Sequence, residues 1–162
     1  MKPPRPKSAL TFVLLGLVPY SRPNMLLAFR PNRFFNELEK ISNYKRYTLE
    51  QAARRACQQG LIEEARNQQL RLTTLGRRRV LPYVAEKLTN NAKLMLIFDI
   101  PEDQAIDRQR LRRLLRKWKF TQTQKSVWIT EYDFTGAIKE VVAELGLEGC
   151  VELYECALLY PK

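Results

Sequence analysis

Hydrophobic residues along this chain fall into blocks of helical and of strand period, separated by polar or proline-bearing gaps. The first block, Ala9 to Val18 (ALTFVLLGLV), is apolar and ends at Pro19. It is too short to span a bilayer and no small-residue cleavage pattern follows, so a buried helix is expected rather than a signal peptide. A second helix is expected from about Asn32, where Phe34, Phe35, Leu38 and Ile41 recur at helical spacing, and Arg22-Pro23 and Arg30-Pro31 punctuate the connection before it. Thr48-Leu-Glu-Gln51 has the form of a capping box and predicts a helix from there to about Gln59, with Gly60 as its stop. Leu49, Ala52 or Ala53, and Ala56 form its inward stripe, leaving Glu50, Gln51, Arg54, Arg55 and Gln58 outside.

Beyond Gly60 the period shortens. Leu61 to Glu64, the polar Ala65 to Gln69 and Leu70 to Leu72 read as two short strands joined by a polar hairpin. Thr73 to Arg79 opens a further helix with apolar Leu75, Val80, Leu81 and Val84, around which Arg77, Arg78 and Arg79 fan out. Thr89 to Lys93 is polar and suits a linker. After it, Leu94 to Ile100 reads as a buried strand, Ala105 to Lys119 as a helix and Phe120 to Thr130 as strand-forming. Gly136 to Leu145 then reads as a helix and Cys150 to Leu159 as a strand. This is the β-α-β-β-α-β order of a ferredoxin-like domain, with helices covering one face of an antiparallel sheet. The expected class is α+β.

Charge divides the chain at the same linker. Residues 1–91 hold 17 Lys and Arg against 6 Asp and Glu, the whole of the net +11, while residues 92–162 hold 11 of each. Cations displace counterions from phosphate backbones, so the asymmetry points to a nucleic-acid-facing module joined to a neutral one. Residues 1–7 (MKPPRPK) read as a flexible basic arm. The second module also holds basic residues, Arg108, Arg110, Arg112, Arg113, Arg116 and Lys117, either exposed to DNA or paired with acids such as Asp107.

Candidate chemistry is sparse. Cys57, Cys150 and Cys156 lack zinc-type spacing and read as reduced thiols of a cytoplasmic protein. There is no His, and no Walker or dinucleotide loop. Asp99, Glu102 and Asp103 lie at the exit of a strand, where they either supply oxygen ligands to a divalent cation or, as Asp99 and Asp103, cap the helix that follows.

Two resemblances sharpen this reading. The phrase QGLIEE, a polar gap and LRLTTLGRRR resembles the end of a winged helix-turn-helix domain over roughly residues 30–88. That implies a third helix in the major groove and a hairpin wing beside the backbone. The resemblance assigns DNA contacts to Gln51, Arg54, Arg55 and Gln58 on the helix, Arg66 and Asn67 in the wing, and Arg77 beyond it. LIFDIPED, followed after one helix by QKSVW at Gln124 to Trp128, resembles the central domain of PaaX-type transcriptional repressors, itself similar to the small adaptation protein of CRISPR systems. This implies a homodimer whose sheets stack, with Ser126, Val127 and Trp128 in the interface strand. It requires no cofactor, and allows Mg²⁺ or Mn²⁺ only where two copies of Asp99 meet. Lys119 stands where the family commonly has Gly before Phe120. The chain ends at Lys162, so the C-terminal domain of PaaX-type repressors, and with it their acyl-CoA effector, is not expected.

The domain plan is therefore an arm and apolar helix over residues 1–29, a winged helix-turn-helix over 30–91 and a ferredoxin-like dimerisation domain over 92–162. The expected function is a dimeric PaaX-like regulator that binds double-stranded DNA and no membrane. The alternative is a CRISPR-type adaptation protein, partnered with an integrase, or a metal-dependent endonuclease using Asp99, with the winged helix as an accessory grip.

Overall fold

The computed structural model describes residues 8–29, 31–65, 69–157 and 159. The chain divides into two compact units, Met1–Val80 and Leu81–Lys162, each with its own hydrophobic core.

The N-terminal unit opens with α1 (Ala9–Gly16), α2 (Arg22–Phe29), α3 (Pro31–Ile41) and α4 (Arg46–Gln58). An antiparallel hairpin of β1 (Ile62–Ala65) and β2 (Gln69–Leu72) follows, then α5 (Thr74–Val84). Val13, Leu14 and Leu17 enter the same core as Phe34, Leu38 and Leu49, so the apolar first segment is part of this unit; the expected basic arm, residues 1–7, lies outside the described residues. The α2 helix was not expected, because Arg22-Pro23 reads as a break. Proline is tolerated in a first turn, where the amide has no intrahelical acceptor. Ser21 sets up that turn: its hydroxyl accepts from the Asn24 amide (3.2 Å) and donates to the Gly16 carbonyl (3.0 Å). On α3, Ile41 is exposed, while the inner Glu37 is buried and paired with Arg22 (3.3 Å) and Lys40 (3.8 Å).

The α4 helix begins at Arg46, two residues before the expected capping box. Its N-cap, Lys45, makes no side-chain cap bond; the Lys45 carbonyl accepts from the Thr48 (2.9 Å) and Leu49 (3.2 Å) amides. The Arg46 amide is satisfied from α3, by the Glu39 carboxylate at 2.9 Å. Tertiary contact has replaced the local cap. At the other end Gly60 adopts φ +66° and closes the helix as the sequence suggests.

Thr73 joins the hairpin to α5. Its amide donates to the Leu61 carbonyl (3.1 Å), its hydroxyl donates to the Gly60 carbonyl (2.6 Å), and the same hydroxyl accepts from the Gly76 amide (3.1 Å). Thr73→Ala removes both side-chain bonds and is expected to lower the unfolding free energy by about 1–2 kcal/mol, measured by chemical denaturation.

The second unit contains β3 (Lys93–Phe98), a short 3-10 turn at Glu102–Gln104, α6 (Ala105–Lys117), β4 (Thr121–Gln124), β5 (Val127–Thr130), α7 (Thr135–Glu144) and β6 (Val151–Cys156). Its four-stranded sheet runs β4-β5-β3-β6, every neighbouring pair antiparallel. Leu94, Leu96 and Phe98 point into the core with Leu111 and Leu115 of α6 and Ile138, Val141 and Val142 of α7. The alternate residues Met95 and Ile97 face away.

The unit boundary lies ahead of the polar segment read as a linker. Leu81, Ala85 and Leu88 pack on the second core, the Leu88 amide donates to the Glu131 carbonyl (2.8 Å) and the Asp133 amide to the Glu86 carbonyl (2.9 Å). After α6 the chain turns through Lys119 at φ +61°, with the Phe120 amide donating to the Leu115 carbonyl (3.1 Å). The left-handed turn that favours glycine is thus made by lysine, whose ammonium sits 3.9 Å from the centre of the Tyr132 ring. No described helix is long and apolar enough to cross a membrane.

Candidate nucleic-acid interface

Divided at the structural boundary, the charge asymmetry is complete. Met1–Val80 carries sixteen Lys and Arg against five acids, and Leu81–Lys162 carries twelve of each. Three of the five acids are engaged internally: Glu37 as described, Glu39 on the Arg46 amide, and Glu50 on the Arg46 guanidinium at 2.6 Å. Arg46 also donates to Asn36 (3.0 Å), binding α3 to the start of α4. Three acids are therefore spent on holding helices together, while Arg54, Arg55, Arg71, Arg77 and Arg79 are exposed among the described residues.

The buried stripe of α4 is Leu49, Ala52, Ala53 and Ala56. With 3.6 residues per turn, the opposite side is led by Tyr47, Gln51, Arg54 and Gln58, and Arg55 flanks them. Tyr47, Arg54, Arg55 and Gln58 are exposed and Gln51 is half-buried. Neither Arg54 nor Arg55 forms an ion pair among the described residues. The arrangement presents two guanidinium groups, two carboxamides and a phenol on one helical face, a set able to hydrogen-bond base edges and phosphates.

Tyr47 was missed because the capping-box motif put the helix start one residue after it. Extending the helical period backward from Gln51 and Arg54 reaches position 47, and its 71% exposure confirms that the ring is on the surface.

Around α4 the placements differ. Arg66 and Asn67 lie outside the described residues. Arg71 on β2 is exposed and pairs in register with Glu63 on β1. Thr73 and Gly76 hold the first turn of α5 against Gly60 and Leu61 at the end of α4. That turn leads into Arg77, which is exposed and donates to the Thr74 hydroxyl at 3.3 Å.

In the second unit the three acids after β3 do not form a cation site within one chain. Asp99 is exposed, Glu102 takes both guanidinium nitrogens of Arg108 (3.1 and 3.2 Å), and among the described residues no three metal-ligating side chains gather. The Arg108 hydrogen bond and charge hold the Glu102 carboxyl below its ordinary range. The capping alternative also fails: the turn at Glu102 and the helix at Ala105 have Pro101 and Gln104 as N-caps, with no side-chain cap bond.

Of the expected interface strand, Ser126 and Val127 are half-buried, but Trp128 is 1% exposed and lies in the core of its own unit. Strand alternation explains this correction. Trp128 is opposite the inward Leu96, whereas Val127 is opposite Ile97 on the outer face.

Comparison with known proteins agrees with the second unit's position. Residues 90–162, just under half of the chain, match the family described as the PaaX protein central Cas2-like domain. Among curated proteins there is no match.

Proposed function

We propose that this protein is a homodimeric, sequence-reading DNA-binding regulator of the PaaX type. In this reading residues up to α5 form a winged helix-turn-helix, α4 enters the major groove and the β1–β2 hairpin is the wing. The observation that carries it is the outward face of α4, on a unit that holds all of the protein's net positive charge. Arg54 and Gln51 offer the forked donors and the amide that suit guanine and adenine edges, while Arg55 and Arg77 serve phosphates. The sheet order and the family match over residues 90–162 support a ferredoxin-like second domain and a relationship to PaaX-type regulators.

Pairing of two chains has its own support. Met95, Ile97, Val127 and Ile129 alternate with core residues, so they share the sheet face away from α6 and α7; each is half-buried, and Tyr154 beside them is exposed. A second copy of the same apolar face would cover it, giving an isologous contact. Two α4 helices would then read half-sites about 10 bp apart, or a multiple of that spacing.

Selection from a randomised duplex pool tests the function: the reading expects an enriched motif of two inverted half-sites, and recovery of no motif contradicts it. For the pairing, sedimentation of wild-type protein should give twice the chain mass. Ile97→Arg/Ile129→Arg should give the chain mass with unchanged far-ultraviolet circular dichroism, and a wild-type monomer at every concentration would overturn the dimer.

A further inference from the structure

The second unit is neutral only in total. Between Ala105 and Lys125 it carries eight Lys and Arg against one acid, Asp107, whereas residues 126–162 carry two against seven. A net charge of +7 is thereby concentrated on α6, the turn after it and the β4 edge.

The structure shows which of those cations are occupied. Arg108 is held by Glu102, Arg110 by Asp107 at 2.9 Å, and Arg112 donates to the Lys125 carbonyl at 3.1 Å. Lys119 lies over Tyr132. The exposed Arg113, Arg116 and Lys117 have no ion pair among the described residues, and Arg116 additionally lies 5.7 Å from the centre of the buried Trp128 ring. Leu111 and Leu115 mark the inward side of α6, so Arg113 and Lys117 share its outer face, one turn and about 6 Å apart along the axis. Arg116 and Lys117 complement the negative end of the helix, but that does not account for Arg113 or for the density of charge around it.

We infer that the α6 face of the second unit is a further phosphate-binding surface for DNA, centred on Arg113, Arg116 and Lys117. The inference rests on the DNA-binding reading and extends it: base recognition resides on α4, and backbone affinity is shared by both units. A nucleic-acid backbone fits better than a lipid surface because Ile106 is the only large exposed hydrophobic described on α6, leaving little to insert below headgroups. Counterion release makes the surface measurable, since each phosphate contact contributes about 0.9 to the slope of log K against log salt.

The test compares full-length wild type, Arg113→Ala/Lys117→Ala and an α4 variant, Arg54→Ala, on a selected duplex and a scrambled one across a salt series. The double variant keeps Arg116 over Trp128, and its thermal melt verifies the fold. The expected result is a salt slope lower by about 2 per bound chain with the preference for the selected duplex unchanged; Arg54→Ala lowers the preference instead. An unchanged slope in a folded double variant that still binds overturns the α6 inference while leaving the α4 reading intact. No DNA binding by wild type defeats both. Binding of wild type to phosphatidylserine vesicles, lost in the double variant while the DNA slope stays unchanged, assigns the surface to lipid and also overturns it.

Discussion

Arg54→Ala/Arg55→Ala is expected to lower affinity for a selected DNA site by at least about fivefold to 150-fold, since a well-placed arginine–base contact at Arg54 contributes about 1–3 kcal/mol and the loss of the Arg55 phosphate contact adds a salt-dependent part. Both side chains are exposed and have no ion pair among the described residues, so their loss leaves no buried acid uncompensated and should hardly change stability. The effect should separate into two parts. Arg54, in the line of Tyr47, Gln51 and Gln58, should govern the ratio of selected to scrambled affinity. Arg55, to one side, should govern the salt slope. Titration of labelled duplex by fluorescence anisotropy, with single and double variants, reads both. Arg46→Ala would be a poor substitute, because Arg46 ties Glu50 to Asn36 and its loss would disturb the helix it belongs to.

The largest expected effect on stability belongs to Gly76→Ala. A methyl at that position would stand 2.0 Å from the Leu61 carbonyl oxygen and 3.2 Å from Leu72 Cδ2. The obstruction is backbone, which cannot rotate away, so α5 would have to lift from the hairpin and break the Thr73-to-Leu61 and Thr73-to-Gly60 bonds that fix its first turn. A loss of about 3 kcal/mol or more follows, the upper range for overpacking. Gly136 in α7 is the matched control: nothing lies within 4 Å of a Cβ built there. Gly136→Ala should stabilise the protein by about 0.4–1 kcal/mol through the reduced entropy of the unfolded chain. Urea denaturation of both variants checks the pair, and equal stabilities would contradict the packing argument.

Gly76 also shows why much of this fold could be read from its sequence. The spacing Thr-x-x-Gly sets a hydroxyl and a missing side chain one turn apart, and the hairpin brings both to the Gly60 and Leu61 carbonyls, so the phrase from Gly60 to Gly76 records one contact. The alternation in β3 and the Leu111 and Leu115 spacing in α6 were legible for the same reason: one face of each element is buried in a single core.

The misses arose where tertiary contacts overrode a local signal. Pro23 looked like an interruption, but Ser21 and the first-turn position make it compatible with α2. The Thr48 capping box was available but unused, because Glu39 from another helix satisfies the Arg46 amide and moves the start of α4. That shift concealed Tyr47. The resemblance implies Trp128 in the dimer-interface strand together with Ser126 and Val127, but strand period turns its side chain into the core and those of Val127 and Ile129 outward. Asp99, Glu102 and Asp103 are close in sequence, yet among the described residues no three metal-ligating side chains gather, and Arg108 holds the Glu102 carboxylate.

The charge pattern behaved differently again. A total of zero for the second half concealed the opposed blocks of α6 and the C-terminal residues, and the contacts of Arg108, Arg110, Arg112 and Lys119 separate occupied cations from Arg113, Arg116 and Lys117, which have no ion pair among the described residues. Totals over a domain average away such segregation; a running sum along the chain would have revealed it.

The measurement that tests the central claim most directly is the affinity of wild-type protein for its selected duplex and for a scrambled duplex of equal length, across a salt series. The account predicts tighter binding to the selected duplex by at least about a thousandfold at physiological salt, with steep salt dependence on both. Equal affinity for the two duplexes would contradict it.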